Sequence, residues 1–233
     1  LVGAGGSDTL VGGSGTDVAD YSASASGVTV YLDGTAGSGG DGAGDTLSGI
    51  ENIIGSSHAD TLYGDGAANS LDGGVGDDTL VGGAGGDTLT GGSGSDTASY
   101  VSAGAAVVAN LGSAGSNSGD AAGDSYSSIE NLTGSNYNDT LTGDAGANVL
   151  TGGAGDDTLI GGAGGDTLVG GAGTGDTASY STAGSGVTAN LGSAGSNSGD
   201  ASGDSYSGIE NLTGSDHADT LTGDSSANRI DGG

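Results

Sequence analysis

The chain has 233 residues, of which 57 are glycine, and its formal net charge is −29 with Arg229 as the one basic residue. It has no cysteine, which excludes a disulfide framework. A single cation cannot neutralise a nucleic-acid backbone, so we expect no nucleic-acid partner. Because no apolar run is long enough to cross a bilayer, we also expect no transmembrane segment.

The chain opens with a pattern of nine residues. Residues 3–11 read GAGGSDTLV and residues 12–20 read GGSGTDVAD, with glycines at the start, Asp at position 6 and an apolar residue at position 8. An insert follows at 21–39. Its centre at 28–32, VTVYL, alternates with period two, which predicts a strand longer than three residues within a hairpin or flap.

Imperfect copies follow the insert. Residues 40–48 keep Asp45 and residues 55–63 keep Asp60, and between them lies an Ile-Glu-Asn triplet. Residues 64–72 place Asn69 where Asp is expected, as Asn148 and Asn228 are placed later in the chain. An amide oxygen can ligate a cation but carries no charge, so the sequence leaves open whether these turns bind metal.

Residues 73–99 hold three uninterrupted nonapeptides, GGVGDDTLV, GGAGGDTLT and GGSGSDTAS. The same order of insert, imperfect copies and full nonapeptides then recurs. This longer period predicts one continuous array over 1–233, made of about three modules of ~80 residues at approximately 1–72, 73–151 and 152–233. The chain ends on two glycines that begin another repeat, so we expect it to be a segment of a longer array.

The chemistry of the nine residues suggests a role for each part. Glycine allows a sharp turn at φ > 0, and such a turn can direct carbonyl oxygens inward beside the Asp carboxylate. Carbonyl and carboxylate oxygens are the ligands that Ca²⁺ prefers. The last three residues suit a very short strand. One apolar residue in nine cannot form a core alone, so stacked coils should align these residues in ladders, which include Leu80, Leu89, Leu150, Leu159 and Leu168.

The pattern Gly-Gly-x-Gly-x-Asp-x-U-x, with U apolar, resembles the hemolysin-type (RTX) calcium-binding repeat when several copies stand in register. The resemblance implies an all-β fold, a parallel β-roll or right-handed β-solenoid, with multiple Ca²⁺ ions between glycine-rich turns. The Asp ligands it implies are Asp8, Asp17, Asp45, Asp60, Asp78, Asp87, Asp96, Asp124, Asp139, Asp157, Asp166, Asp176, Asp204 and Asp219. The glycines of the ligating turns are Gly73, Gly74, Gly76, Gly82, Gly83, Gly85, Gly152, Gly153, Gly155, Gly161, Gly162 and Gly164.

For function, the resemblance implies a calcium-binding structural segment of a large type I-secreted bacterial protein, located outside the cell or on its surface and folding when it binds Ca²⁺. The parent protein could be an adhesin, a surface-layer protein or a filament, and self-association remains open. The alternative is the repeat tail of a secreted protease, lipase or polysaccharide-modifying enzyme whose catalytic domain lies elsewhere. We expect no catalytic residue in this chain.

Two other patterns have less specific explanations. His58 and His217 occupy equivalent places and Tyr137 occupies the third. We interpret them as turn residues rather than a zinc site or general base, since His is enriched at φ > 0. Paired carboxylates such as Asp77 and Asp78 recur with the turns, which favours a turn or metal role over glycosidase chemistry. We expect the tyrosines to be half-buried ends of the inserts.

Overall fold

The computed structural model describes residues 1–113, 115–193 and 195–233 with their side chains. Its strands are short and pair in parallel, and the described residues contain no α-helix. The strands are β1 Thr9–Val11, β2 Val18–Asp20, β3 Thr29–Tyr31, β4 Thr46–Ser48, β5 Asn52–Ile54, β6 Thr61–Tyr63, β7 Ser70–Val75, β8 Thr79–Val81, β9 Thr88–Ser93, β10 Thr97–Ser99, β11 Val108–Asn110, β12 Ser125–Ser127, β13 Asn131–Thr133, β14 Thr140–Thr142, β15 Val149–Ala154, β16 Thr158–Ile160, β17 Thr167–Ala172, β18 Thr177–Ser179, β19 Thr188–Asn190, β20 Ser205–Ser207, β21 Asn211–Thr213, β22 Thr220–Thr222 and β23 Arg229–Asp231. Single 3₁₀ turns lie at Gly40–Gly42, Ala114–Ser116, Gly119–Ala121, Ala194–Ser196 and Gly199–Ala201.

One coil of the fold takes two nonapeptides. Leu62 of β6 lies opposite Leu80 of β8, and Leu71 of β7 lies opposite Leu89 of β9. Both offsets are 18 residues, so successive strands along the chain alternate between two parallel sheets. Where an insert intervenes, the offset grows, as between Leu10 of β1 and Leu47 of β4.

The chain forms two compact units. The first comprises residues 1–100 and 117–129, and the second comprises 101–116 and 130–233. In the first unit, one sheet has the order β12-β9-β7-β5-β2, another has β10-β8-β6-β3, and β1 pairs with β4. In the second unit, the sheets have the orders β11-β14-β16-β18-β21-β23 and β20-β17-β15-β13, and β19 pairs with β22.

The core consists of the middle residue of each short strand. The predicted leucine ladders are confirmed, because these side chains lie opposite one another and are fully buried: Leu62, Leu71, Leu80, Leu89, Leu141, Leu150, Leu159 and Leu168. Burying one such side chain stabilises by ~1.5–3 kcal/mol, which does not offset the entropy of ordering nine residues. The stability of the fold therefore depends on the stacking of successive coils and on the interactions that stabilise the turns.

The inserts differ from expectation in three respects. Their strands are three residues long, not longer, because Val28 and Leu32 lie outside the paired segment of β3. Among the described residues, the inserts show an antiparallel bridge in place of a longer hairpin, between Thr29 and Ser38 in the first insert and between Thr188 and Ser198 in the last. Three tyrosines, Tyr21, Tyr100 and Tyr180, are buried rather than half-buried.

The prediction of an all-β, parallel β-roll is confirmed by the strand order and register. The three-module division stays a prediction. The two histidines are exposed turn residues, but they do not have positive φ, so the reason given for them was wrong. The left-handed non-glycine residues of the described chain are Ala4 and Ser128.

Candidate metal centre

The glycine turns bring backbone and carboxylate very close together. The second and fourth glycines of the full turns have positive φ, for example 95° at Gly74 and 140° at Gly76, a region that costs other residues strain. The first glycine of each turn lies directly against the Oδ2 atom of the turn's own Asp, where a Cβ would overlap that oxygen; this holds for Gly73, Gly82, Gly152 and Gly161. The predicted turn glycines therefore leave room at the carboxylates.

The position-6 carboxylates form ladders along the coils. The backbone N–H of Asp60 donates to Oδ1 of Asp78 at 2.8 Å, and the N–H of Asp78 donates to Oδ1 of Asp96 at 2.8 Å. In the second unit, the N–H of Asp139 donates to Asp157 at 2.7 Å. Each bond joins equivalent positions of adjacent coils, so each Asp that accepts one has an oxygen committed to the fold.

The second carboxylate oxygen divides the predicted Asp ligands into three groups. In the first group, Oδ2 is buried and has no hydrogen-bond partner in the described structure. Its members are Asp8, Asp17, Asp78, Asp87, Asp157, Asp166 and Asp176; Asp96 is fully buried in the same register. A buried carboxylate oxygen that lacks a partner is costly, so these atoms are where a cation would be most strongly stabilising.

The electrostatics of this group also favour a cation. Burial raises the pKa of four of its carboxyls to about 6, and neighbouring carboxylates contribute to the increase: Asp78, Asp87, Asp157 and Asp166. Burial likewise raises the pKa of Asp176, with the negative charge of Glu210 adding to the effect. Without metal, the fold thus opposes ionisation of these carboxyls, and a bound divalent ion would favour it.

In the second group, a tyrosine occupies the second oxygen. The hydroxyl of Tyr100 donates to Oδ2 of Asp124 at 2.7 Å, and that of Tyr180 donates to Oδ2 of Asp204 at 2.7 Å. Tyr21 makes a longer bond to Asp45, at 3.1 Å. These three carboxylates therefore have both oxygens hydrogen-bonded within the protein.

In the third group, a serine donates hydrogen bonds to the carboxylate. Oδ2 of Asp139 accepts the backbone N–H of Ser135, and Oδ1 accepts both the Ser135 hydroxyl and the N–H of Val107. Equivalent bonds surround Asp60 and Asp219. Six of the fourteen predicted Asp ligands thus have their carboxylate oxygens satisfied by protein donors.

The asparagine turns have a structural explanation. The Nδ2 atom of Asn69 donates to the carbonyl of Glu51 at 3.0 Å, and its Oδ1 accepts the N–H of Asp65. Asn148 and Asn228 repeat this arrangement. Only an amide can donate to the carbonyl and accept the N–H at the same place, whereas a carboxylate would oppose the carbonyl oxygen.

Sequence reasoning missed the glutamates as site residues. The N–H of Asp17 donates to Oε2 of Glu51 at 2.9 Å, and that of Asp176 donates to Oε2 of Glu210 at 3.1 Å. Both acceptors stand where the next Asp of a ladder would be. A signal existed in the sequence, because all three glutamates of the chain fall at the same place in their modules.

No three acidic or histidine side chains of the described residues converge as a site made only of side chains would require. A cation at these turns would therefore take carboxylate oxygens together with glycine-turn carbonyls. Such a mixed set of hard oxygens is what Ca²⁺ uses, and the unpartnered Oδ2 atoms give it negative charge. The residues present fit Ca²⁺ at the turns of the first group, whereas both carboxylate oxygens of the other two groups already accept protein hydrogen bonds.

Comparison with known families agrees with this chemistry. The model of the RTX calcium-binding nonapeptide repeat (4 copies) matches residues 1–21, 45–80, 63–98, 133–168, 142–175 and 204–233, which together cover more than half of the chain. The comparison with curated proteins found no match. Within the described residues, no helix has the length and apolarity to cross a membrane. The chain belongs to the RTX calcium-binding nonapeptide repeat family.

Proposed function

We propose that this chain is a structural segment of a large type I-secreted bacterial protein, and that it folds when it meets Ca²⁺ outside the cell. The observation that carries the proposal is the row of buried, unpartnered Oδ2 atoms in the turns. A fold that leaves these carboxylate oxygens without donors is incomplete unless a cation completes it.

The charge of the chain supports the same proposal. At −29, the compact state suffers strong self-repulsion. Within a ladder, adjacent carboxylates lie about one strand spacing apart, ~4.8 Å, where two unit charges repel by ~1 kcal/mol in water and more at lower dielectric. Ions bound between the turns would convert this repulsion into attraction, so metal binding energy becomes folding energy.

We further propose that the chain acts outside the cell and has no catalytic role of its own. RTX repeats typically belong to secreted proteins, and low Ca²⁺ inside the cell would keep this chain extended for export. The metal's contribution is to neutralise and cross-link carboxylates. The protein's own residues supply the turn geometry, one carboxylate oxygen per rung, and the leucine ladder that the turns hold in register.

The test is a Ca²⁺ titration of the metal-free chain, followed by far-UV circular dichroism, with Mg²⁺ as the control. We expect a cooperative gain of β signal with Ca²⁺ and little with Mg²⁺, which requires a smaller octahedral site and gives up water reluctantly. Light scattering in the same titration reports self-association. A spectrum that stays the same from chelator to excess Ca²⁺ would overturn the proposal.

A further inference from the structure

One turn in each module is shorter than the nonapeptide turn. In a full turn, the acidic residue follows five residues after the first glycine, as Asp157 follows Gly152. In the short turn, Gly208 has φ 61° and Glu210 follows two residues later. Gly49, with φ 58°, and Glu51 repeat this arrangement in the first unit. The short turn does not fit the nine-residue pattern, although the matches of the family model span it.

The glutamate supplies the carboxylate acceptor that continues the ladder of hydrogen bonds through the short turn. Its Oε2 atom accepts the N–H of the Asp one coil before, in the same way that Oδ1 of Asp176 accepts the N–H of Asp157 at 2.8 Å. The N–H of Glu210 in turn donates to the carbonyl of Asp176 at 3.0 Å. The side chain of Glu is one methylene longer than that of Asp, and this extra reach suits a turn with fewer residues.

At Asp17 and Asp176, whose N–H groups donate to the glutamates, the Asp itself carries a buried Oδ2 without a hydrogen-bond partner in the described structure. Asp176 is fully buried and its Oδ2 atom has no hydrogen-bond donor in the described structure. A Cβ on Gly170 would lie 2.6 Å from this Oδ2 and closer still to the carbonyl oxygen of Gly208 in the short turn. In the first unit, a Cβ on Gly12 would lie 2.8 Å from Oδ2 of Asp17 and would overlap the carbonyl of Gly49.

From this arrangement, we propose that Glu51 and Glu210 are calcium ligands, which complete sites with Asp17 and Asp176 respectively. Each site joins a full nonapeptide turn to a short turn that departs from the nine-residue spacing. It brings together two carboxylates and a turn carbonyl, all hard oxygens suited to Ca²⁺. The inference rests on the proposed function, because it assumes that the full turns bind Ca²⁺.

The experiment counts bound ions by equilibrium dialysis against ⁴⁵Ca²⁺ at saturation, for the whole chain and for Glu51→Gln and Glu210→Gln. Glutamine keeps one oxygen to accept the Asp N–H but loses the charge and the second carboxylate oxygen, so the metal-free hydrogen bond is preserved while the ligand is weakened. The control is Asp33→Asn, which removes one charge from an exposed carboxylate whose Oδ1 accepts the N–H of Thr35. Circular dichroism at saturating Ca²⁺ checks that each variant is folded.

We expect each Gln variant to bind one ion fewer than the wild type, or to bind that ion at least tenfold more weakly, and Asp33→Asn to bind the full number. Glu210→Asp, which keeps the charge but shortens the side chain, should show the same loss as Glu210→Gln. An unchanged ion count and affinity in both Gln variants would overturn the inference while leaving the proposed function intact. If the wild type itself bound no Ca²⁺, the proposed function would fail first. If a Gln variant did not fold, the Glu210→Asp variant would provide the test. A full ion count in that variant would show that the longer side chain of glutamate is not required, and it would overturn the inference.

Discussion

Asp157 and Asp139 occupy consecutive rungs of one ladder and provide a matched pair of substitutions to asparagine. Both carboxylates are buried in the position-6 register. They differ in their second oxygen, since Oδ2 of Asp157 has no partner whereas Oδ2 of Asp139 accepts the N–H of Ser135. The same change of carboxylate to amide should therefore have opposite consequences when no metal is present.

The magnitudes follow from the local contacts. Burial raises the pKa of Asp157 to about 6, and a shift of roughly 2 units corresponds to ~3 kcal/mol, which solvent screening at the turn reduces to ~1–2 kcal/mol. Asp157→Asn removes this cost and keeps the Oδ1 that accepts the N–H of Asp139. Asp139→Asn instead loses charge-assisted bonds to Ser135 and brings an amide group against its donors, at a cost of ~2–3 kcal/mol.

The assay uses trimethylamine N-oxide to fold the metal-free chain in chelator, since osmolytes favour burial. At pH 7.5, Asp157→Asn should fold at a lower osmolyte concentration than the wild type, and Asp139→Asn at a higher one. In saturating Ca²⁺, Asp157→Asn should bind about one ion fewer, whereas Asp139→Asn should keep the ion count and unfold at lower urea. If the two variants shifted in the same direction in chelator, the distinction between unpartnered and satisfied carboxylates would be refuted.

Three further predictions follow from the same contacts. Tyr180→Phe leaves Oδ2 of Asp204 without its donor, so urea denaturation in Ca²⁺ should show a loss of ~1.5–3 kcal/mol; an unchanged midpoint would contradict the role of the hydroxyl. Asn69→Asp places a carboxylate against the Glu51 carbonyl, so dialysis should find no additional ion and the urea midpoint should fall; a gained ion would show that the amide only replaces a ligand. The folded pKa of about 6 at Asp78 lies above the usual value, so protons bind the folded state more tightly and the metal-free β signal should grow as pH falls from 7 to 4.5, while Ca²⁺ affinity falls; circular dichroism that is flat over this range would contradict it.

The repeating part of the fold could be predicted because glycine and Asp stand in fixed register with one apolar residue per nine. That register predicts stacked leucine ladders, such as Leu80 opposite Leu62, and the resemblance to the repeat family implied the parallel roll. The inserts were less predictable, since alternation at 28–32 indicates a strand but not its length. The length of β3 is set by the adjacent coil, because the segment Thr29–Tyr31 pairs with Thr61–Tyr63.

The candidate site was predictable only to the level of the motif. The sequence marks fourteen Asp residues as equivalent, but the fate of each second oxygen depends on residues distant in the chain or outside the motif. Tyr100 reaches Asp124 across 24 residues, and Val107 reaches Asp139 across 32. Ser135 lies only four residues before Asp139, so a serine in place of the second glycine is a local signal that could have separated this group.

The interruptions between full nonapeptides have a common electrostatic consequence. In the second unit, the ladder that starts at the N–H of Val107 passes through Asp139, Asp157 and Asp176 and reaches Glu210, whose carbonyl meets the neutral amide of Asn228. The other ladder starts at Asn148, passes through Asp166 and ends at Asp204 under the hydroxyl of Tyr180. The first run thus holds four carboxylates and ends on Glu210, and the second holds two and ends on Asp204. Because repulsion between rungs accumulates with each added carboxylate, short runs limit what the metal-free chain must overcome before the first ion binds. An unbroken series of perfect nonapeptides would accumulate more repulsion before any ion bound, and its folding would depend more steeply on Ca²⁺ concentration than that of this chain.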